Sequence, residues 1–167
     1  MITKTAEKWK EHKQDKNREE ENFIDTVHLN LNKLTEKLYD TISNKIIKTL
    51  EEYGLEKSRT IILDLIFNKS ITEKQFAHVY CKLCLQLIEL YDEQFKTDIL
   101  IQSDTYYSEH VKKVFIKKEN TSYDEFCDNN KLKKKLIGIF IFVAHLYLQD
   151  IISNEIILKY IESLFTS

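Results

Sequence analysis

Cys81 and Cys84 form the only CxxC pair in the chain, and a thiolate pair at that spacing can bind zinc or carry out disulfide exchange. Zinc needs a second pair, or histidines at finger spacing, to complete four ligands, and neither follows. Both cysteines fall in an apolar helical pattern, so they are expected in the core as free thiols. The histidines at 12, 28, 78, 110 and 145 are scattered, and none stands at metal-ligand spacing from another His, Cys or carboxylate. His78 and His145 read as packing or surface positions within helices. Two glycines cannot build a phosphate-cradling loop, and no Gly-x-Ser-x-Gly elbow occurs. The carboxylates lie mostly in mixed charge runs that read as solvated faces. No metal, no cofactor and no catalysis are therefore expected of this chain. What remains is basic: Lys112, Lys113, Lys117 and Lys118, then Lys131 and the run Lys133, Lys134 and Lys135. Such lysines can hold phosphates or simply keep a face in water. Nearby acids and a net charge of -2 favour the solvated face.

Helices must position these residues. The 167-residue chain has two glycines and no proline, which leaves little punctuation for the tight turns of a sheet. From Phe23 onward, Val27, Leu31, Leu34, Leu38, Ile42, Ile46 and Leu50 recur at steps of three and four. Thr35 can cap a new helix inside this run, so the spacing predicts a short helix, a bend at Thr35, and a helix to about Tyr53 with Gly54 as C-cap. Residues 55–71 carry a further apolar segment. Thr72 and Gln75 have capping-box spacing for a helix running to about Phe95. In residues 97–130 a helix is expected around 108–118, with a shorter one capped by Ser122 and Glu125. The charged segment "NNKLKKK" reads as a turn into the most apolar helix, about 131–149. Ser153 caps a last amphipathic helix ending near Phe165.

Residues 1–22 are polar and charged, with Trp9 their one large apolar side chain. They are expected to form a flexible leader. Trp9 either rests on the domain's own flank or anchors a partner. Residues 23–167 then form one all-α domain. Its helix pairs recur at roughly 40–47 residues, the period of HEAT-type hairpins, which predicts about three stacked antiparallel hairpins in an α-solenoid. A compact helical bundle is the competing architecture. The charged N-terminus carries no secretory signal, and the longest apolar run, "LIGIFIFVAHLYL" at 136–148, is too short to span a bilayer. A cytoplasmic protein without membrane contact is expected. A helical array without a catalytic cluster reads as a binding scaffold.

Three segments carry a family resemblance. Leu31-Asn32-Lys33-Leu34-Thr35, with Tyr39 four residues on, resembles the L-N-K-L-T-P-x-x-F opening of the middle domain of eukaryotic translation initiation factor 4 gamma, with Glu36 for proline and Tyr39 for phenylalanine. Residues 63–84 resemble that family's L-I-F-x-K-A-x-x-E-P-x-F-x-x-x-Y-A-x-x-C, keeping Phe67, Lys69, Glu73, Phe76, Tyr80 and Cys84 and departing at Ser70, Lys74 and Cys81. Residues 133–157 are similar to its basic run followed by L-G-N-I-K-F-I-G-E-L-F. Gly138, Phe142 and Leu146 match, Ile139 replaces asparagine, and Ala144-His145 replaces Gly-Glu. Trp9 resembles the tryptophan upstream of that domain. The likeness is poorest over 97–130.

The resemblance implies a scaffold of translation initiation that docks a DEAD-box RNA helicase. Family members have five hairpins, and those implied here are the N-terminal ones, which take the helicase's C-terminal lobe. Partner contact then falls to Trp9, Leu31, Asn32, Lys33, Leu34 and Tyr39. Leu31, Leu34 and Leu38 are expected on the apolar face, with Asn32 and Lys33 outward and the Tyr39 hydroxyl at the rim. mRNA, through Lys133, Lys134 and Lys135, and a cap-binding protein are the further partners it brings in. The alternatives are an RNA-binding adaptor, or a related helical scaffold of splicing, mRNA decay or nuclear cap binding.

Overall fold

A computed structural model describes residues 3–91, 93–115 and 122–165, with backbone alone for 3–16 and 112–115. The described residues are helical throughout, joined by short turns, with no strand among them. Seven α-helices follow one another: α1 (Thr3–Leu31), α2 (Tyr39–Tyr53), α3 (Leu55–Thr72), α4 (Ala77–Tyr91), α5 (Glu93–Phe115), α6 (Tyr123–Leu148) and α7 (Asn154–Phe165). Contacts divide the chain into two compact units after Ile62, within α3.

In the first unit α1 and α2 form an antiparallel pair joined by a 3-10 turn at Glu36–Leu38. Phe23, Val27, Leu31 and Leu34 are buried, as are Ile42, Ile46 and Leu50. Phe23 stacks on Tyr53 with ring centroids 4.3 Å apart, which pins the far end of the pair. Gly54 then ends α2. Its N–H donates to the Leu50 carbonyl at 3.0 Å, and its φ of 102° suits glycine because a side chain there would be strained.

The second unit holds the rest of α3 and helices α4 to α7. α4 and α5 pack on each other and both pack on α6. Phe67 of α3 meets Phe142 of α6 edge-on at 5.0 Å. Gly138 of α6 lies where a Cβ would come within 2.2 Å of the Ile71 carbonyl oxygen, so only glycine lets the two backbones come this close. α7 is tied to α5 by Tyr107, which stacks on Tyr160 at 4.1 Å and donates its hydroxyl proton to the Tyr160 carbonyl.

Several boundaries differ from those the spacing predicts. The backbone is helical from Thr3, well upstream of Phe23, because Ala, Glu, Lys and Arg favour helix without needing an apolar stripe. Thr35 is extended (φ -137°, ψ 165°), and its side chain makes no cap bond. The Thr72–Gln75 capping box is not formed. Thr72 is the last residue of α3, and its hydroxyl donates back to the Asn68 and Lys69 carbonyls. α4 stops at Tyr91, so Phe95 belongs to α5, which runs unbroken from Glu93 to Phe115. Thr97, Ser103 and Thr105 disguise that helix in the sequence, yet each hydroxyl is satisfied by the carbonyl four residues back. Ser122 does cap a helix, accepting the Glu125 N–H at 3.2 Å. That helix is α6, which passes straight through the expected turn at residues 129–135 because nothing there breaks it.

Candidate functional site

At the α1–α2 corner the helix unwinds over three residues. Lys33 N–H bonds the Asn30 carbonyl at 2.9 Å and Leu34 N–H bonds the Leu31 carbonyl at 3.2 Å, the tighter spacing of a terminal turn. Leu31, Leu34 and Tyr39 are buried beneath the corner. Asn32 and Lys33 are exposed on it, as are Glu36, Lys37 and Leu38. Leu38 is 49% exposed, so it lies outside the apolar face where its spacing placed it. Tyr39 is 5% exposed, so its side chain is in the core and not at the rim. Both changes have one cause. α1 ends at Leu31 and Thr35 is extended, so the helical register that spaced these residues does not carry across the corner into Glu36–Leu38. The resulting surface is a polar tip, Asn32 and Lys33, with one exposed leucine beside it. The Trp9 side chain lies outside the described residues.

In the second unit Phe67, Lys69, Glu73, Tyr80 and Gly138 meet as packing joints. Lys69, at the end of α3, pairs with Glu73 in the turn, and Tyr80 of α4 donates its hydroxyl to the other Glu73 oxygen at 2.7 Å. Burial pushes the Glu73 carboxyl up, but the hydrogen bonds from Lys69 and Tyr80 and the Lys69 charge outweigh it and hold it below the usual carboxylate range. Burial, then the bond to Glu73, raises the Tyr80 phenol. Phe67 and Gly138 serve the α3–α6 contact described above. Cys81 and Cys84 are buried, and burial pushes the Cys81 thiol up to about 12 and Cys84 well above its ordinary value. These are inert core thiols, as their apolar setting predicts.

Lys133, Lys134 and Lys135 are exposed on α6 and form no ion pair among the described residues. Three successive helical residues fan through about 200°, so the run does not form one face. Lys135 borders a cavity of about 330 Å³ between α3, α5 and α6. Inside it Asp64 accepts from Tyr106 at 2.6 Å, Gln102 at 3.2 Å and Asn68 at 3.1 Å. Burial, then the bond to Asp64, raises the Tyr106 phenol. His110 bonds the Tyr106 carbonyl at 2.8 Å and lies parallel to its ring. The polar lining largely satisfies itself, with Lys135 and Glu109 at its wall carrying opposite charges. Lys131 is held by Asp128 at 2.9 Å. The Lys112 and Lys113 side chains, and Lys117 and Lys118, lie outside the described residues.

One pairing had no signal in the sequence. His78 of α4 and His145 of α6 stand with ring centroids 6.1 Å apart. Among the described residues no cluster of three or more His, Cys, Asp or Glu is placed to hold a metal ion, and no helix is long and apolar enough to cross a membrane. No protein-family model matches the chain, and no curated protein matches it.

Proposed function

We propose that the chain is a non-catalytic scaffold of translation initiation, with HEAT-like stacked hairpins, that docks a DEAD-box RNA helicase chiefly through the helicase's C-terminal lobe in the cytoplasm. The observation that carries this reading is the α1–α2 corner. Its leucines and Tyr39 form a buried floor, and Asn32 and Lys33 stand clear of it at a tip that a partner can reach. The resemblance of three ordered segments to the middle domain of initiation factor 4 gamma supports it. So does the fact that Phe67, Lys69, Glu73, Tyr80, Gly138 and Phe142 all take packing roles that a related fold would need. Contacts to mRNA and to a cap-binding protein belong to the same proposal.

Binding of the purified C-terminal helicase lobe to the full chain tests it. Lys33→Glu reverses a charge at an exposed site and leaves the floor intact. We expect an unchanged melting temperature and at least about a tenfold loss of affinity, about 1.4 kcal/mol. Equal binding by a normally folded variant makes the corner a packing element only.

A second reading, an RNA-binding adaptor, is favoured by the exposed Lys133 and Lys134. Phosphate contacts are read in the salt dependence of binding, so their replacement by alanine should weaken RNA binding alike across sequences and flatten its salt slope.

A further inference from the structure

Phe126, Ile137 and Leu148 stand eleven residues apart on α6, and Tyr123 lies three residues before the first of them. Eleven residues make three helical turns, so at about 100° per residue all four fall within roughly 40° of one line along the helix. All four are exposed, whereas Ile139, Val143 and Leu146 hold the opposite face of α6 in the core. At 1.5 Å per residue the line is roughly 37 Å long. Exposed apolar side chains gathered on one line mark a contact surface, where single scattered ones would not. Lys133 and Lys134 straddle the line near its middle, and both are exposed. Lys135 turns away to the cavity around Asp64. From residue 129 to residue 149 there is no acidic side chain. The face is therefore apolar toward both ends and positive at its centre.

We propose that this face of α6 seats an amphipathic helix of a partner protein, laid lengthwise, with its apolar stripe on Phe126, Ile137 and Leu148 and acidic side chains opposite Lys133 and Lys134. Charge selects this occupant. A second copy pairing through the same face, parallel in register or antiparallel about a two-fold axis at its middle, would set its own lysines against Lys133 and Lys134, and like charges at an interface repel. RNA would satisfy the lysines but leave Ile137 and Leu148 uncovered, since aliphatic side chains make neither phosphate contacts nor base stacks. A lipid surface suits a helix whose lysines flank a broad apolar face, and here they interrupt a narrow line. An acidic amphipathic helix covers the apolar ends and neutralises the centre at once. Apolar burial supplies the affinity, and the charges set the register and the choice of partner. The inference does not rest on helicase docking, because the corner at Asn32 and Lys33 belongs to the other compact unit.

The test is fluorescence anisotropy of the full chain with a labelled synthetic helix that carries a leucine stripe and glutamates at mid-length, against the same helix with lysines in place of the glutamates. The expected result is saturable one-to-one binding of the glutamate helix, with the lysine helix at least about tenfold weaker. Lys133→Glu combined with Lys134→Glu should reverse that preference, a change that loss of structure cannot produce. Ile137→Glu should weaken the glutamate helix by at least about tenfold at an unchanged melting temperature. Leu148→Glu gives the same readout near the end of α6, should Ile137→Glu unfold. Leu158→Glu, at an exposed position of α7, should bind like the wild type. No saturable binding, equal affinity for the two helices, or wild-type binding by folded Ile137→Glu and Leu148→Glu chains would overturn the proposal. So would self-association in sedimentation, binding of polyuridine or binding of phosphatidylserine vesicles that Ile137→Glu abolishes, since each would give the face to that occupant instead.

Discussion

The α1–α2 corner and the α3–α4–α6 joint treat their polar residues in opposite ways. At the corner Asn32 and Lys33 face water above a floor of Leu31, Leu34 and Tyr39. At the joint Lys69, Glu73 and Tyr80 turn toward one another, with Tyr80 at 1% exposure. Polar residues beside an apolar run therefore have two physical meanings here. At the joint they tie helices together, and at the corner they stand in water, where a partner can meet them. Only the second kind bears on the proposed docking.

The comparison breaks most easily at the floor. Leu31→Ala removes a side chain at 0% exposure and should cost about 2–5 kcal/mol. Thermal melts should show a fall of several degrees or more. Under the proposed docking, any loss of helicase binding in that variant reports unfolding and not contact. A leucine-to-alanine melt equal to wild type would mean that the floor is not a floor.

Gly138→Ala is the matching test at the joint. The added methyl would stand 2.2 Å from a backbone oxygen, so α6 must move off α3. Overpacking of this kind costs about 1–3 kcal/mol. The effect should appear as a lower denaturant midpoint with little change in slope. A neutral result would show that the two helices do not approach as closely as described.

The corner tip should behave differently. Asn32→Ala alters an exposed side chain and should change stability by less than about 0.5 kcal/mol. Under the proposed docking, its effect should fall on helicase affinity, in the same direction as Lys33→Glu but smaller, because no charge is reversed. A clear drop in melting temperature would move Asn32 from the surface group to the packing group.

The smallest effect expected is the pH dependence of the Lys69–Glu73–Tyr80 joint. The folded-state pKa of Glu73 lies below its unfolded value, so its contribution is present above the unfolded pKa, about 4.3 for a free glutamate, and is lost as the pH falls through the folded value. Glu73→Gln should therefore lower the melting temperature at pH 7, and that gap to wild type should narrow below about pH 4. A gap that widened on acidification would reverse the assigned sign.

Much of the helical framework was legible from local spacing. The leucine and isoleucine steps through Leu50, the glycine stop at 54 and the Ser122 cap each rest on contacts within about one turn, which a linear sequence displays. So does the burial of Cys81 and Cys84. The continuous α5 was hidden because hydroxyl residues look like turn formers until their bonds to carbonyls one turn back are counted. Leu38 and Tyr39 exchanged places because the helix breaks after Leu31 and Thr35 is extended, and a hydrophobic pattern read through the break assumes a register that the backbone does not keep.

What the sequence determined by itself is the helical character of the chain and most of its apolar faces, since backbone propensity and side-chain period act over three or four residues. Tertiary structure alone decided that Gly138 touches Ile71, that Lys135 borders the cavity around Asp64, and that His78 meets His145. Each of these joins residues on different helices. Their meeting depends on how whole helices pack, and no local spacing encodes it.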